Sequence, residues 1–112
     1  MQSELQTLKA DLFRALAHPV RIRILELLSI RDRTVQELQE ALSVEQPAVS
    51  QHLAALRTRN LVVARKEGTL AHYALRAPAV AELLRVAREL LNQRLTDHQT
   101  LLRELRREHR RS

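Results

Sequence analysis

A chain of 112 residues with 19 Lys plus Arg against 13 Asp plus Glu carries a net charge of +6, which favours a polyanionic partner, either nucleic acid or an anionic membrane surface. The absence of cysteine excludes disulfides, thiolate metal sites and cysteine catalysis together, and one Tyr, one Phe and no Trp leave no platform for stacking single-stranded bases. Duplex DNA is therefore the expected nucleic acid. The length fits one domain, 1–112, with an adequate but not generous core. No apolar run approaches the ~20 residues of a spanning helix, and MQSELQTLKAD does not read as a signal peptide, so a cytoplasmic protein is expected.

From Ser3 to Ala17, Leu5, Leu8, Leu12, Phe13 and Leu16 form a helical stripe with Ser3 as N-cap. His18-Pro19 ends it, because the residue before proline avoids the α region. A second helix, Val20 to Ser29, is apolar over much of its circumference through Ile22, Ile24, Leu25, Leu27 and Leu28, and belongs in the centre of the core. Ile30 to Arg33 reads as a charged loop.

Residues 34–59 read as two short amphipathic helices around a tight turn. Thr34 serves as N-cap with Glu37 three residues on, and Val35, Leu38, Ala41 and Leu42 form the buried stripe. Ser43 to Glu45 is the turn. In the second helix Val49, Leu53 and Leu56 recur on one face, and Pro47 suits the first helical turn. The remaining positions, Gln46, Ala48, Ser50, Gln51, Ala54, Arg57 and Thr58, are small or polar, so such a helix can dock on a core and enter a major groove. An ordinary helical hairpin inside a small bundle would show the same pattern.

After Asn60 the period changes. Leu61 to Lys66 and Thr69 to Leu75 read as a two-stranded hairpin about Glu67-Gly68, where the chain's one glycine supplies a positive φ. Arg65, Lys66 and Arg76 are expected around its tip, with Thr69 beside them, as a basic wing over residues 61–75. A hairpin that merely covers the core is the plainer reading.

Residues 78–112 carry one long helical pattern through Val80, Leu83, Leu84, Ala87, Leu90, Leu91, Leu95, Leu101, Leu102 and Leu105, with Arg103 to Ser112 expected to fray. A helix of ~30 residues is ~45 Å long, more than so small a core can cover. Residues 1–17 have the same surplus, so a homodimer through the two terminal helices is expected, with Leu5, Leu8, Leu12, Leu84, Leu91, Leu95 and His98 at its interface. The apolar face of the basic last helix has no Trp or Phe, which suits dimerisation better than a membrane surface.

Other chemistry is sparse. His98 and His109 lie eleven residues apart on one helix face and are weak metal candidates, since zinc or nickel needs three or four converging ligands. His18 reads as a helix cap and His52 as a flank of the second helix near the core; His72 lies on a strand. No Ser/His/Asp ordering, phosphate loop or carboxylate pair supports an enzyme.

Taken in order, the chain resembles the ArsR/SmtB family of dimeric winged-helix transcriptional regulators. The resemblance rests on Leu16 to Leu25, on Gln46 to Leu53 with Leu56-Arg57, on Leu61-Val62, and on the Lys66-Glu67-Gly68 turn before Tyr73. It implies a mainly α fold of about five helices plus a two-stranded wing, and a homodimer that places its two recognition helices in successive major grooves of an imperfect palindromic operator. Gln46, Pro47, Ala48, Ser50, Gln51, Arg57, Arg65, Lys66 and Thr69 are then the DNA-binding candidates, and the function is a repressor's. Thiolate-type family sensors carry cysteines in or beside the first helix of the helix-turn-helix, where this chain has Val35, Gln36 and Leu38. The other main kind chelates with Asp, His and Glu across the last helices, at positions that here hold Ala77, Ala79, Leu90 and Gln93. Both standard metal sites are missing, so no cofactor is expected. The releasing signal is left open among a small molecule, a metal (nickel or zinc) on a non-standard His site, a partner protein, and none beyond expression level. A winged-helix interaction module that does not read DNA is the alternative of another class.

Overall fold

The computed structural model describes residues 3–111. These fall into two compact units, one ending at Ala81 and the other beginning at Glu82. Helix α1 (Glu4–Leu16) opens the first unit, and the Ser3 hydroxyl accepts the Gln6 N–H at 3.3 Å as its N-cap. His18 is extended (φ −151°, ψ 125°), as a residue before proline must be, and its Nδ1 accepts the Val20 N–H at 3.2 Å. The His-Pro pair thus ends one helix and caps the next, α2 (Pro19–Ile30), which runs one residue further each way than expected. Ile24, Leu25, Leu27 and Leu28 of α2 are buried, and Ile22 sits at the rim.

The expected loop after α2 contains a strand. β1 (Arg33–Thr34) pairs antiparallel with the wing, Arg33 opposite Tyr73 and Thr34 opposite His72. Two residues are too few to show an alternation, so only the pairing reveals it. Thr34 then caps α3 (Val35–Leu42) with a full capping box: its hydroxyl accepts the Glu37 N–H at 3.1 Å, and the Glu37 carboxylate accepts the Thr34 N–H at 3.1 Å. The Arg31 guanidinium donates to the same carboxylate at 2.8 Å. That bond and the Thr34 N–H hold the Glu37 carboxyl well below the usual range, at about 2. Leu38 is buried and Val35 and Leu42 half-buried, whereas Ala41, expected in the stripe, is exposed. At ~100° per residue it lies ~60° beyond Leu38, on the solvent edge of a narrow stripe.

Ser43 closes α3 in the left-handed region (φ 55°), and α4 (Gln46–Thr58) follows after two residues. Val49, Leu53 and Leu56 are fully buried and join Ile24, Leu25 and Leu38 at the centre of the core. Asn60 (φ 59°) ends α4 in a Schellman arrangement, with Asn60 N–H on the Arg57 carbonyl (2.9 Å) and Leu61 N–H on the Leu56 carbonyl (3.0 Å). Leu61 and Leu56 are both buried, the apolar contact that usually accompanies this cap.

The wing is β2 (Val62–Glu67) and β3 (Leu70–Leu75), registered from Val62 opposite Leu75 to Glu67 opposite Leu70. Its turn is Gly68-Thr69, one residue later than expected. Gly68 (φ +65°) takes the first loop position, where a type II′ hairpin needs glycine, while Thr69 keeps a negative φ. With β1 the sheet has three strands, ordered β1-β3-β2, rather than the two expected. Helix α5 (Pro78–Arg111) begins in the first unit, where Val80 is buried, and its length from Glu82 is the second unit. The basic stretch expected to fray is helical through Arg111. Glu82, Arg85 and Glu89 pair along its surface at 2.5 and 3.1 Å. Among the described residues, no helix is long and apolar enough to cross a membrane.

Candidate nucleic-acid interface

Helix α4 presents opposite faces of opposite chemistry. Val49, Leu53 and Leu56 hold one face in the core, while Gln46, Pro47, Ser50, Gln51, Ala54, Arg57 and Thr58 are exposed and Ala48 is half-buried at the flank. Three apolar anchors at i, i+4 and i+7 leave the rest of the circumference free, so the folding pattern itself turns Ser50 and Gln51 outwards. No side chain caps the start of α4, where Glu45 is the N-cap residue. Pro47 has no N–H and the Ala48 N–H bonds the Glu45 carbonyl at 3.0 Å, so what this end offers an anion such as a phosphate is chiefly its positive dipole.

A groove of about 440 Å³ joins this end of α4 to α3 and the wing, lined by Thr34, Gln36, Gln39, Gln46, Thr69 and Leu70 among others. It brings together Gln46 and Thr69, which are 23 residues apart in sequence. It also adds Gln36 and Gln39, which sequence reasoning passed over. Their signal was present: both are polar positions on α3 away from Leu38.

The wing's cations are arranged differently from expectation. Lys66 is exposed one residue before the strand end, near the tip. Arg65 is exposed but its guanidinium is paired with Asp32, from the segment between α2 and β1. Arg76 is not at the tip. It follows β3 at the opposite end of the hairpin, where its N–H bonds the Leu61 carbonyl at 3.1 Å. An even register from a two-residue turn puts the residue after Leu75 beside the base, some seven residues from the turn.

The histidines divide by position. His18 and His52 stack at a ring-centroid distance of 4.3 Å, and the Arg21 Nε–H donates to His52 Nδ1 at 3.1 Å. Burial, then the neighbouring His18 and Arg21, lowers the His52 pKa. His72 is half-buried on β3, 3.7 Å from Glu67. On α5, His98 and His109 are exposed and ~16 Å apart along the axis at 1.5 Å per residue, too far to share an ion within one chain. Among the described residues, no three His, Cys, Asp or Glu side chains gather as a metal site. Of the residues expected at a dimer interface, Leu5, Leu8, Leu91, Leu95 and His98 are exposed, while Leu12 and Leu84 are half-buried. Phe13 is also exposed on α1.

The model for "Bacterial regulatory protein, arsR family" matches residues 18–63, from the α2 cap into β2. An uncharacterized HTH-type transcriptional regulator of Mycobacterium tuberculosis, Rv0081, is 48% identical over 108 residues, 95% of each chain. Its crystal structure superposes with a TM-score of 0.82 at 47% identity, covering 87% of this chain and 98% of that one. The solution structure of the homodimeric winged helix-turn-helix DNA-binding domain of Mb0332 from Mycobacterium bovis, a possible ArsR-family regulator, gives 0.77 at 32% identity over 84% of this chain and 91% of that one. A probable mercury resistance operon repressor of Streptomyces lividans is 39% identical over 79 residues, 70% of this chain and 63% of its own. The chain is not an enzyme but a winged helix-turn-helix, DNA-binding transcriptional regulator, and it belongs to the arsR family.

Proposed function

We propose that the protein is a repressor that acts as a homodimer on an imperfect palindromic operator, the whole chain working as one functional domain with α1 and α5 as dimerisation helices. The observation that carries this reading is the two-faced α4, with Ser50 and Gln51 opposite a fully buried Val49-Leu53-Leu56 anchor. Gln51 reads base edges, Gln46 and Thr69 approach the backbone from one groove, and Lys66 and Arg57 take phosphates. The name of the Streptomyces relative supports repression. Its mercury signal does not transfer, because mercury and the other soft ions are held by thiolates and this chain has no cysteine. Val35, Gln36 and Leu38 on one side, and Ala77, Ala79, Leu90 and Gln93 on the other, likewise offer no strong ligand where the family's metal donors lie. These absences favour a releasing signal that is not chelated by the standard ligands, such as a small molecule or a partner protein.

Selection from a random duplex library on the purified protein tests this reading. Enriched sequences should contain two half-sites about one helical turn, roughly 10 bp, apart. Gln51→Ala should then lose ~1–3 kcal/mol on the selected duplex and little on random DNA. Equal losses on both would remove Gln51 from base reading, and failure to enrich any duplex would favour a protein-interaction module.

A further inference from the structure

We propose that His18, Arg21 and His52 form a proton-sensitive brace that holds the recognition helix α4 in its DNA-reading orientation, so that acidification weakens DNA binding. The inference rests on DNA binding through α4. Each imidazole is used as an acceptor at Nδ1: His52 takes the Arg21 Nε–H at 3.1 Å, and His18 takes the Val20 N–H that begins α2 at 3.2 Å. A ring nitrogen that accepts carries no proton, so each ring is neutral with its hydrogen on Nε2. Arginine does not give up its proton, and a backbone N–H cannot. Protonation at either Nδ1 therefore sets a donor against a donor. It also brings a second or third positive charge into one place, since the two ring centroids are 4.3 Å apart and the Arg21 guanidinium is bonded to His52.

The neighbours offer no relief. Arg21 also donates to the Ala15 carbonyl at 3.4 Å and lines a cleft with Asp11 and Arg14 of α1 and with Ala55, Thr58 and Arg59 at the end of α4. Asp11, the carboxylate of that cleft, is held by Arg14 at 2.6 Å and lies 3.7 Å from Arg59. His72, by contrast, has a carboxylate beside it, that of Glu67 in the wing. The lowered His52 pKa, caused first by burial and then by His18 and Arg21, agrees with a site that resists a proton.

The brace is well placed to matter. His52 lies between Gln51, which is exposed, and Leu53, which is fully buried. Loss of the Arg21 bond removes a polar tie between α4 and α2 within one residue of the base-reading side chain. His52 and Arg21 are thus positioning residues for recognition and touch no base themselves. The sign of the effect is diagnostic. Added positive charge alone tightens binding to the phosphate backbone as pH falls, whereas opening the brace loosens it.

The experiment measures affinity of the full chain for the duplex selected at pH 7.5, by fluorescence anisotropy at pH 7.5 and 5.5 and constant ionic strength. The wild type should bind several-fold more weakly at pH 5.5, less than the ~11-fold that a single group with a pKa of 6.5 could give one unit below it, because the His52 pKa is lowered. The His18→Asn/His52→Asn double variant keeps an acceptor near each Nδ1 position without a titrating group. It should bind normally at pH 7.5 and show no loss on acidification. His18→Asn alone, at a helix N-cap that favours Asn, should show a reduced loss and serves if the double variant does not fold. An affinity that holds or rises in the wild type, or an equal loss in the variants, would overturn the brace. Long-range proton–nitrogen spectra of the imidazoles judge it without DNA: both rings should carry hydrogen on Nε2 near neutral pH, and a proton on His52 Nδ1 there would refute it. If no duplex is selected, the DNA reading fails while the spectra still decide the brace.

Discussion

Leucines in the core of the first unit and leucines along the second behave oppositely, and Leu5, Leu8 and Leu70 of the first unit side with the exposed set. Up to Ala81, Leu25, Leu38, Leu53 and Leu56 are completely shielded from solvent, together with Ile24 and Val49. From Glu82 onward, Leu90, Leu91, Leu95, Leu101 and Leu105 are 70%, 56%, 59%, 54% and 52% exposed. The amino acid and its helical periodicity are the same; what differs is whether neighbouring elements of the same chain surround it. The pattern therefore reports that a face is to be covered, not what covers it. Leu91, Leu95, His98, Leu102 and Leu105 follow one another at alternating steps of four and three, the spacing of a two-helix seam. A second copy of the chain is the proposed cover.

The largest expected effect breaks the comparison at that seam. Burying a leucine contributes ~1.5–3 kcal/mol, and a two-fold interface counts each substitution twice, so Leu91→Glu should remove ~3–6 kcal/mol from association before the buried charge is considered. Sedimentation at micromolar protein should show a wild-type dimer and a monomeric variant. DNA affinity should fall with dimerisation, because each monomer holds one half-site. A wild-type monomer, or a variant that stays dimeric, would show that the exposed stripe serves something else.

The second effect lies in the other unit and sharpens the contrast. Leu53→Ala opens a cavity in a core with no slack and should cost ~2–5 kcal/mol of stability. Leu101→Ala, one position off the seam, should change stability by no more than about 0.5 kcal/mol. Urea unfolding of the two variants under identical conditions measures both. Similar losses would mean that position 101 is as covered as position 53 and that the two units differ less than their exposures indicate.

Much of the first unit is legible in the sequence because its signals are local. The Thr34–Glu37 capping box, the His18-Pro19 break and the three anchors of α4 all act within a turn or two of the chain, and each lies where the pattern puts it. What was missed depends on contacts distant in sequence. β1 is two residues long and exists only through its pairing with Tyr73 and His72. Arg76 was placed with the wing's tip because the turn and the strand ends cannot be separated without the register. Gln36 and Gln39 look like ordinary solvent positions until α4 and the wing close a groove over them. The Arg21–His52 contact spans 31 residues, and nothing in the local pattern links its ends. For α5 the sequence shows the stripe as plainly as the structure does, since nothing else within residues 82–111 covers it.

The smallest expected effect on stability concerns a tie within the first unit that an apolar count would overlook. Arg65 is paired with Asp32 at the surface, both side chains more than two-fifths exposed. An exposed ion pair contributes little to folding, so Asp32→Asn should change stability by less than ~1 kcal/mol. Its effect on DNA should be easier to see. In the wild type a phosphate must compete with Asp32 for the guanidinium, whereas exposed Lys66 pairs with no carboxylate among the described residues. Each phosphate contact contributes ~0.9 to the slope of log affinity against log salt. Lys66→Ala, lost from both subunits of a dimer, should therefore flatten the slope by ~1.8. Asp32→Asn releases one cation per subunit and should steepen it by as much as ~1.8, with tighter binding to random duplexes at low salt. Arg65→Ala should abolish that gain when combined with Asp32→Asn. An Asp32→Asn slope equal to wild type would show that Arg65 faces away from the phosphates and belongs to the sheet's own surface, leaving the wing's contact to Lys66 and Thr69.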